Sequence, residues 1–192
     1  MEIISIIIIS YLLGSIPFGF LLTKIFLKKD IRKIGSGNTG ATNALRTGNK
    51  IIGYSTLTLD ILKAVIPILY VKFYFPEYIF ISSLLVFLGH VFPVWLKFKG
   101  GKGVATYIGI LFCINIYLGI SFGIVWLIIF FIFQYSSLSS LIGSISVPII
   151  NFLIFNDSVV FFFIIMFVLI FYTHRENIKR LLNRTESKTK IY

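Results

Sequence analysis

A polar stretch with three glycines interrupts an otherwise apolar sequence between two long hydrophobic runs. It reads Gly-Ser-Gly-Asn-Thr-Gly-Ala-Thr-Asn-Ala-Leu-Arg over residues 35–46, here called the first glycine loop. Glycine adopts φ > 0 without a steric penalty, so successive N–H groups of such a loop can converge on an anion. Arg46 adds a planar, permanently charged fork suited to phosphate. The candidate residues are Ser36 and Arg46 for catalysis and Gly35, Gly37, Asn38, Gly40, Thr42 and Asn43 for phosphate binding.

An ordinary connecting loop is the alternative explanation of this stretch. Gly, Ser, Asn and Thr are common turn formers. Taken alone, a glycine-rich loop favours this alternative by roughly two to one. The balance therefore depends on whether other polar segments accompany it.

A second glycine loop, residues 97–103, follows the run Gly-His-Val-Phe-Pro at 89–93. Lys102 is the candidate catalytic cation, and Gly100, Gly101 and Gly103 are candidates for phosphate binding. The segment is not a Walker A loop, because Gly103 follows the lysine where Ser or Thr is needed. We expect both loops at the same membrane surface, and their meeting there favours a phosphate site.

Polar residues also mark the last third of the chain. His174 and Asn177 stand one helical turn apart and are predicted to share a face. Both are candidates for catalysis at the border of the membrane. Ser139 and Ser140 are candidates for substrate binding, although hydrogen bonding between helices is an equally good explanation for them.

The composition indicates an all-α polytopic membrane protein. Of 192 residues, 57% are hydrophobic and only 13% are charged, against about 25% charged in soluble domains. Lys and Arg outnumber Asp and Glu by 18 to 7. They cluster beside apolar runs, as membrane topology requires, so we predict no nucleic-acid partner. One cysteine, Cys113, and two histidines without neighbouring carboxylates predict no metal and no cofactor.

The first three membrane spans are predicted at 3–26, 51–75 and 78–96. Pro17 is expected to kink the first span, since it lacks an N–H group. Basic residues directly after that span place it with the N-terminus outside and the first glycine loop in the cytoplasm. Within the second span, Asp60 and Lys63 share a face and can pair. A structural ion pair and a functional one are equally weighted there.

The segment 104–173 carries only one charge, Asp157. Because it starts and ends on the cytoplasmic side, it must cross the membrane an even number of times. Two helices would each far exceed the roughly 20 residues that a bilayer needs. Breaks at Leu118–Gly119, at 134–137 and at Asn156–Asp157 favour four short helices. We therefore predict seven spans, with five as the fallback, in a single integral-membrane domain over residues 1–192.

These motifs together resemble the bacterial acyl-phosphate:glycerol-3-phosphate acyltransferase family. The resemblance covers about residues 10–186 in order: the first glycine loop, the segment 89–106, and His-Arg-x-Asn-Ile at 174–178. The pair at Asp60 and Lys63 also fits the family pattern. Two departures are Ala64, where the family usually has Gly, and Arg184, where Gly usually precedes Thr-Glu.

The resemblance implies transfer of a fatty acyl group from acyl phosphate to the 1-hydroxyl of glycerol 3-phosphate, yielding lysophosphatidic acid and phosphate. It implies a seven-helix fold in the bacterial inner membrane, with an active site facing the cytoplasm. The implied partners are both substrates, membrane lipid and the soluble acyltransferase that makes acyl phosphate. A transporter for a small phosphorylated anion is the alternative. The polar motifs favour the enzyme because they collect on one face, without a clear inverted repeat.

The residues also bear on the mechanism. Other glycerolipid acyltransferases use a His-x₄-Asp pair, but Trp95 and Lys179 stand five residues after His90 and His174. Acyl phosphate already carries a good leaving group, so no covalent nucleophile is required. We infer a substrate-assisted mechanism in which a donor phosphate oxygen takes the hydroxyl proton. The protein then supplies position and positive charge.

Overall fold

A computed structural model describes residues 2–155 and 158–189. Within these residues, the regular structure consists of helices without any β-strand. The chain divides into two units, Met1–Ile114 and Asn115–Tyr192. The all-helical fold class is thus confirmed, while the single functional domain stays a prediction.

The first unit contains six α-helices connected by short turns. They are α1 (Glu2–Gly14), α2 (Phe18–Phe26), α3 (Ala41–Leu45), α4 (Lys50–Tyr74), α5 (Ile79–Val91) and α6 (Val104–Ile114). Single 3₁₀ turns lie at Ile31–Lys33, Pro76–Tyr78 and Val94–Leu96. The predicted second and third spans agree with α4 and with Pro76–Leu96 to within two residues.

The second unit contains four α-helices. They are α7 (Ile116–Phe133), α8 (Ser136–Ile150), α9 (Val160–Thr173) and α10 (Arg175–Leu182). A π-helical turn, Asn151–Phe155, follows α8 directly after Ile150. The predicted break at Asn156–Asp157 lies outside the described residues.

Length and composition mark several of these helices as membrane spans. Four qualify individually: Lys50–Tyr74, Pro76–Leu96, Ile116–Phe133 and Ser136–Phe155. The count rises to six if two bent pairs, α1 with α2 and α9 with α10, each form one span. Helix α6 is apolar but has only 11 residues. An all-helical membrane protein is therefore confirmed at this coarser level.

The predicted kink in the first span is confirmed. Helices α1 and α2 are bent by 40° across residues 15–17. Pro17 has no N–H group to continue the helical ladder, so the helix stops before it and restarts at Phe18. The break exposes backbone carbonyl groups that a continuous helix would have satisfied internally.

Helices α1 and α5 run parallel and in close contact. Ser10 Oγ lies 2.8 Å from Ser82 Oγ, and Gly14, four residues later, lies against the backbone of Val86. A side chain at Gly89 would likewise collide with the backbone of α1. Small residues thus bring the two backbones together, as in many membrane helix pairs. Because the helices are parallel, the two glycine loops that follow them leave toward the same end of the unit.

The predicted break at Leu118–Gly119 is wrong. The helix is interrupted three residues earlier, at Asn115, whose extended backbone separates α6 from α7. Its Oδ1 accepts hydrogen bonds from the N–H groups of Tyr117 at 2.9 Å and Leu118 at 3.4 Å, so Asn115 caps α7. The predicted break at 134–137 is confirmed, because Gln134 adopts a left-handed conformation that ends α7.

Candidate active site

Asn43 organises the first glycine loop from its interior. The residue is 2% exposed. Its amide nitrogen donates to the carbonyl oxygens of Ile31, Ile34 and Asn38 at 3.1, 2.9 and 2.8 Å. Its Oδ1 accepts from the N–H of Ser36 at 3.0 Å. The structure thus uses Asn43 to hold the loop backbone, and a direct contact with a ligand stays a prediction.

The glycines of this loop are required by its tight path. Gly35 and Gly37 both have positive φ, of 52° and 71°, a region that disfavours other residues. A side chain at Gly35 would also collide with Asn43 and Arg46. Arg46 therefore packs along a surface that only glycine leaves open, with its side chain still exposed.

The other candidate residues of the first glycine loop include Asn38, Ser36 and Thr42. Asn38 Oδ1 accepts from the N–H of Gly40 at 2.8 Å, which fixes the turn before α3. Ser36 is exposed and Thr42 is half-buried. An exposed hydroxyl and an exposed guanidinium beside a glycine turn can together bind a phosphate.

A bidentate ion pair holds the entry to the first loop. Arg32 donates from Nε and Nη2 to the carboxylate of Asp30, at 2.9 and 2.7 Å for the shortest contacts. These hydrogen bonds hold the pKa of Asp30 at about 2, below its ordinary value. Between the two residues, Ile31 is fully buried against Ala44 and Ile52. The loop is therefore anchored by one apolar side chain and one surface ion pair.

The second glycine loop folds back onto the end of α5. The N–H groups of Gly100 and Gly101 donate to the carbonyl oxygens of Val91 and His90 at 3.0 and 3.1 Å. A side chain at Gly101 would collide with the imidazole of His90. Gly103 has φ of 86° and lies against the ring of Phe87. The loop backbone is therefore held on both sides of Lys102, which is half-buried.

Both loops are anchored at the break of the first span. Gly19, in the first turn of α2, lies directly against the carbonyl of Thr39 in the first loop. On the other side of the break, Ser15 Oγ accepts a hydrogen bond from Trp95 Nε1 at 2.8 Å, just before the second loop. The anchors are four positions apart in sequence. The structure therefore brings the two predicted loops to the same region of the first unit.

Three buried polar side chains lie beside this break. Asp60 and Lys63 of α4 are 2% and 5% exposed, and His90 of α5 is 6% exposed. Lys63 Nζ lies 2.8 Å from Asp60 Oδ1, and His90 Nδ1 lies 3.7 Å from the same oxygen. The predicted pairing of Asp60 and Lys63 is confirmed. The sequence analysis missed His90 as the third member, because its partner is 30 residues away.

His174 lies at a sharp bend in the second unit. Helices α9 and α10 meet at 62° around it. Its imidazole is 2% exposed, and Nδ1 lies 2.8 Å from the carbonyl oxygen of Ile170. A carbonyl can only accept, so this contact places the proton on Nδ1. His174 caps the start of α10 and Asn177 lies in its first turn, with both side chains buried; that they share one face stays a prediction.

Asn177 belongs to a carboxylate-centred group that the sequence analysis missed. Glu186 accepts from Asn177 Nδ2 at 2.6 Å, from Ser137 Oγ at 2.7 Å and from Arg180 Nε at 2.6 Å. Partial burial alone would raise the pKa of Glu186, but the three hydrogen bonds outweigh it and lower that pKa. The carboxylate joins α8, α10 and the C-terminal segment. Ser137 and Glu186 are visible in the sequence as polar residues, but only the folded structure shows that they form a hydrogen bond.

The two predicted serines of α8 are bonded within their own helix. Ser139 Oγ donates to the carbonyl of Tyr135 at 3.0 Å, and Ser140 Oγ donates to that of Ser136 at 2.8 Å. Ser140 also accepts from Trp126 Nε1 at 3.1 Å, across to α7. These bonds support the helix-packing explanation, and substrate binding by Ser139 and Ser140 stays a prediction.

Arg184, one of the departures from the family pattern, has φ of 57°. It follows the C-cap of α10, where Thr185 N–H bonds Arg180 and Arg184 N–H bonds Leu181. These two bonds form a Schellman motif, whose left-handed residue is usually glycine. The arginine therefore introduces a strained backbone at a site where glycine fits best.

Replacing Arg184 with Gly should stabilise the protein. A left-handed residue with a side chain costs about 1–2 kcal/mol, and the added freedom of glycine in the unfolded chain offsets about 0.5–1 kcal/mol. We expect a net gain of about 0.5–1 kcal/mol, seen as a Tm about 1–4 °C higher in detergent. Arg184→Ala keeps Cβ and is the matched control, which should show no gain. Equal Tm values for the Gly and Ala variants would contradict strain at this position.

The described residues offer no obvious place for a metal ion. Across 2–155 and 158–189, no group of three His, Cys, Asp or Glu side chains is arranged to hold one. The polar side chains of the two glycine loops are amides, hydroxyls and cations. Such groups bind and orient anions.

Comparisons with known proteins give this arrangement a family. The glycerol-3-phosphate acyltransferase family model matches residues 4–184. A glycerol-3-phosphate acyltransferase of Pelagibacter ubique (strain HTCC1062) is 70% identical over 192 residues, covering 100% of both chains. One of Mesorhizobium japonicum is 48% identical over 181 residues, covering 94% of this chain and 93% of the relative.

Two solved structures have the same fold as this chain. The crystal structure of PlsY (YgiH), an integral membrane glycerol 3-phosphate acyltransferase, in its glycerol 3-phosphate form has a TM-score of 0.94 and 39% identity. The match covers 99% of this chain and 96% of that chain. The lysophosphatidic acid form has a TM-score of 0.90, covering 98% and 95%.

The helices and the cationic glycine loops therefore describe an integral membrane acyltransferase. The chain belongs to the glycerol-3-phosphate acyltransferase family and is an enzyme. The resemblance noted in the sequence is confirmed. The phosphate transporter, considered above as the alternative, gains no support from these relatives.

Proposed function

We propose that this protein transfers a fatty acyl group from acyl phosphate to the 1-hydroxyl of sn-glycerol 3-phosphate. The products are lysophosphatidic acid and inorganic phosphate. The observation that carries the proposal is the anchoring of two glycine loops at one break, one with Arg46 and the other with Lys102. Both substrates are phosphorylated, and each loop offers a cation beside a constrained backbone.

The chemistry divides into binding and proton transfer. The glycerol oxygen attacks the acyl carbonyl carbon, the bond from that carbon to the phosphate oxygen breaks, and the hydroxyl proton passes to phosphate. Arg46 and Lys102 balance the phosphate charges, and Ser36 donates a hydrogen bond. The glycines of both loops allow the tight backbone paths that carry these two cations. Catalysis then comes from orientation and charge stabilisation, without a covalent intermediate.

His174 has an orienting role in this scheme. Its Nδ1–H donates to the backbone carbonyl of Ile170, whereas a catalytic imidazole is usually oriented through that atom by a carboxylate. The bond places a proton on Nδ1 and fixes the orientation of the ring. Asn177 is held in turn by Glu186. We assign to both residues the positioning of substrate rather than removal of the proton.

The proposal includes a membrane topology for the chain. The four single spans, the bent pair α1 and α2, and the shorter helices α6 and α9 give seven crossings, with the N-terminus outside and the C-terminus in the cytoplasm. Supporting this arrangement, the basic residues cluster after α2, after α5 and in α10, as cytoplasmic segments do. The protein then works as one domain in the bacterial inner membrane. A soluble acyltransferase that makes acyl phosphate supplies the donor.

The donor provides the test of this function. We expect the purified protein, given palmitoyl phosphate and radiolabelled glycerol 3-phosphate, to form labelled lysophosphatidate. We expect no product when palmitoyl-CoA or palmitoyl-acyl carrier protein replaces the donor, because a thioester lacks the leaving phosphate that takes the proton. The measurement is product formation by thin-layer chromatography in detergent or in vesicles.

Boiled protein serves as the control for spontaneous acyl transfer. Robust turnover with palmitoyl-CoA and none with palmitoyl phosphate would show that the donor is wrong. A protein that moves labelled glycerol 3-phosphate into vesicles but forms no product would instead support a transporter.

A further inference from the structure

The buried polar residues Asp60, Lys63 and His90, here called the buried ion group, have no part in the proposed chemistry. Each is at most 6% exposed. Buried ion pairs are weak contributors to stability, since desolvation offsets their attraction and apolar replacements are often neutral or stabilising. Ionisable groups within membrane spans usually have a functional reason. The contacts of this group show what that reason is.

One side of the buried ion group contacts the break of the first span. Lys63 Nζ donates to the carbonyl oxygen of Ile16 at 2.7 Å and lies 5.7 Å from the centroid of the Phe18 ring. Ile16 is one of the residues whose carbonyl the break releases from helical hydrogen bonding. The ammonium group therefore holds the junction from which α2 leads, through Gly19 and Thr39, to the first glycine loop.

The other side contacts the second glycine loop. His90 faces Asp60 through Nδ1, and the opposite edge of its ring, at Nε2, lies against Gly101. The His90 carbonyl accepts the hydrogen bond of Gly101 N–H. His90 thus fixes the backbone of the second glycine loop through both its side chain and its main chain. The adjacent residue in the loop is Lys102.

We propose that Asp60, Lys63 and His90 form a positioning unit that holds the two glycine loops in fixed positions relative to each other. Asp60 is its centre, since it contacts both the ammonium group and the imidazole. The unit touches no reacting atom and acts through Lys102 and the backbone of the two loops. This inference rests on the proposed function for its catalytic consequence, but its structural consequence can be measured separately.

The test uses the double variant Asp60→Asn/Lys63→Met, which removes both charges and leaves no unpaired buried ion. We expect kcat/KM for glycerol 3-phosphate to fall at least tenfold in the wild-type background. In the Lys102→Ala background we expect a further fall of less than threefold, because the unit acts through Lys102. Ser82→Ala is the matched control: it removes a buried hydrogen bond of α5 about two helical turns before His90 and should change kcat/KM less than twofold.

Hydrogen exchange of intact protein in detergent gives the second measurement. In the double variant, peptides covering 97–103 and 35–46 should exchange at least tenfold faster, while those of α1 and α7 should exchange at the wild-type rate. Wild-type exchange in both loops would overturn the proposal. Faster exchange along the whole chain, or equal losses of kcat/KM in both backgrounds, would also overturn it by showing general destabilisation. If wild-type protein makes no lysophosphatidate, the proposed function fails, and exchange alone decides the positioning role.

Discussion

Lys102→Ala is expected to lower kcat/KM about 10- to 100-fold while the protein stays folded. A hydrogen bond from a charged group to phosphate contributes about 1.5–3 kcal/mol, which corresponds to this range. Lys102 is half-buried, and the backbone on both sides of it is held by hydrogen bonds and packing. The measurement is steady-state kinetics with each substrate varied, together with thermal unfolding. The substrate whose KM rises identifies the phosphate that Lys102 binds.

Lys99 provides the matched control within the same loop. It carries the same charge but is exposed, so Lys99→Ala should change kcat/KM less than threefold. Equal effects of the two substitutions would show that the loop acts by general charge rather than by a defined contact.

Arg46→Lys should also lower activity, because an ammonium group cannot reproduce the two parallel hydrogen bonds of a guanidinium.

Asn43→Asp is expected to reduce kcat/KM at least 100-fold, although the two side chains have the same shape. The substitution replaces the amide nitrogen by an oxygen that faces the carbonyl oxygens of Ile31, Ile34 and Asn38. Donors become acceptors, and buried carbonyls lose their partners at about 1–3 kcal/mol each. The first glycine loop should therefore open, which hydrogen exchange of residues 35–46 can detect beside the kinetics.

Asn49→Asp is the control for the same chemical change at a position with a different requirement. Asn49 Oδ1 accepts from the N–H of Ile52 and caps α4. Aspartate serves equally well as an N-cap and interacts favourably with the helix dipole. We expect kcat/KM within twofold of wild type. Activity near wild type in Asn43→Asp would show that its amide nitrogen does not hold the loop.

The sequence predicted the helices of the first unit well because their signals are local. Long apolar runs locate α4 and α5, and Pro17 stops α1 through its missing N–H group. The break before α7 was misplaced for an equally physical reason. The sequence analysis placed it at Leu118–Gly119, but Asn115 forms a cap whose hydrogen bonds only the folded geometry reveals.

The candidate site was predictable in its composition and less so in its geometry. Glycine loops that carry cations predict an anion-binding site. In the structure, the parallel packing of α1 and α5 brings both loops to one region. Sequence alone could not assign Asn43 to the loop interior, since an amide is suited equally to backbone and ligand. It also could not pair Glu186 with Ser137, because that contact joins residues 49 positions apart.

The contact between α1 and α5 has a consequence for how the protein is made. Ser10 and Ser82 are 72 residues apart in the chain. At about 5–20 residues per second, a ribosome needs about 4–14 s to synthesise that interval. Until α5 enters the membrane, Ser10 and the bare backbone at Gly14 lack the surface on which they pack. The speed of translation between these two serines therefore sets the earliest moment at which the first unit can close.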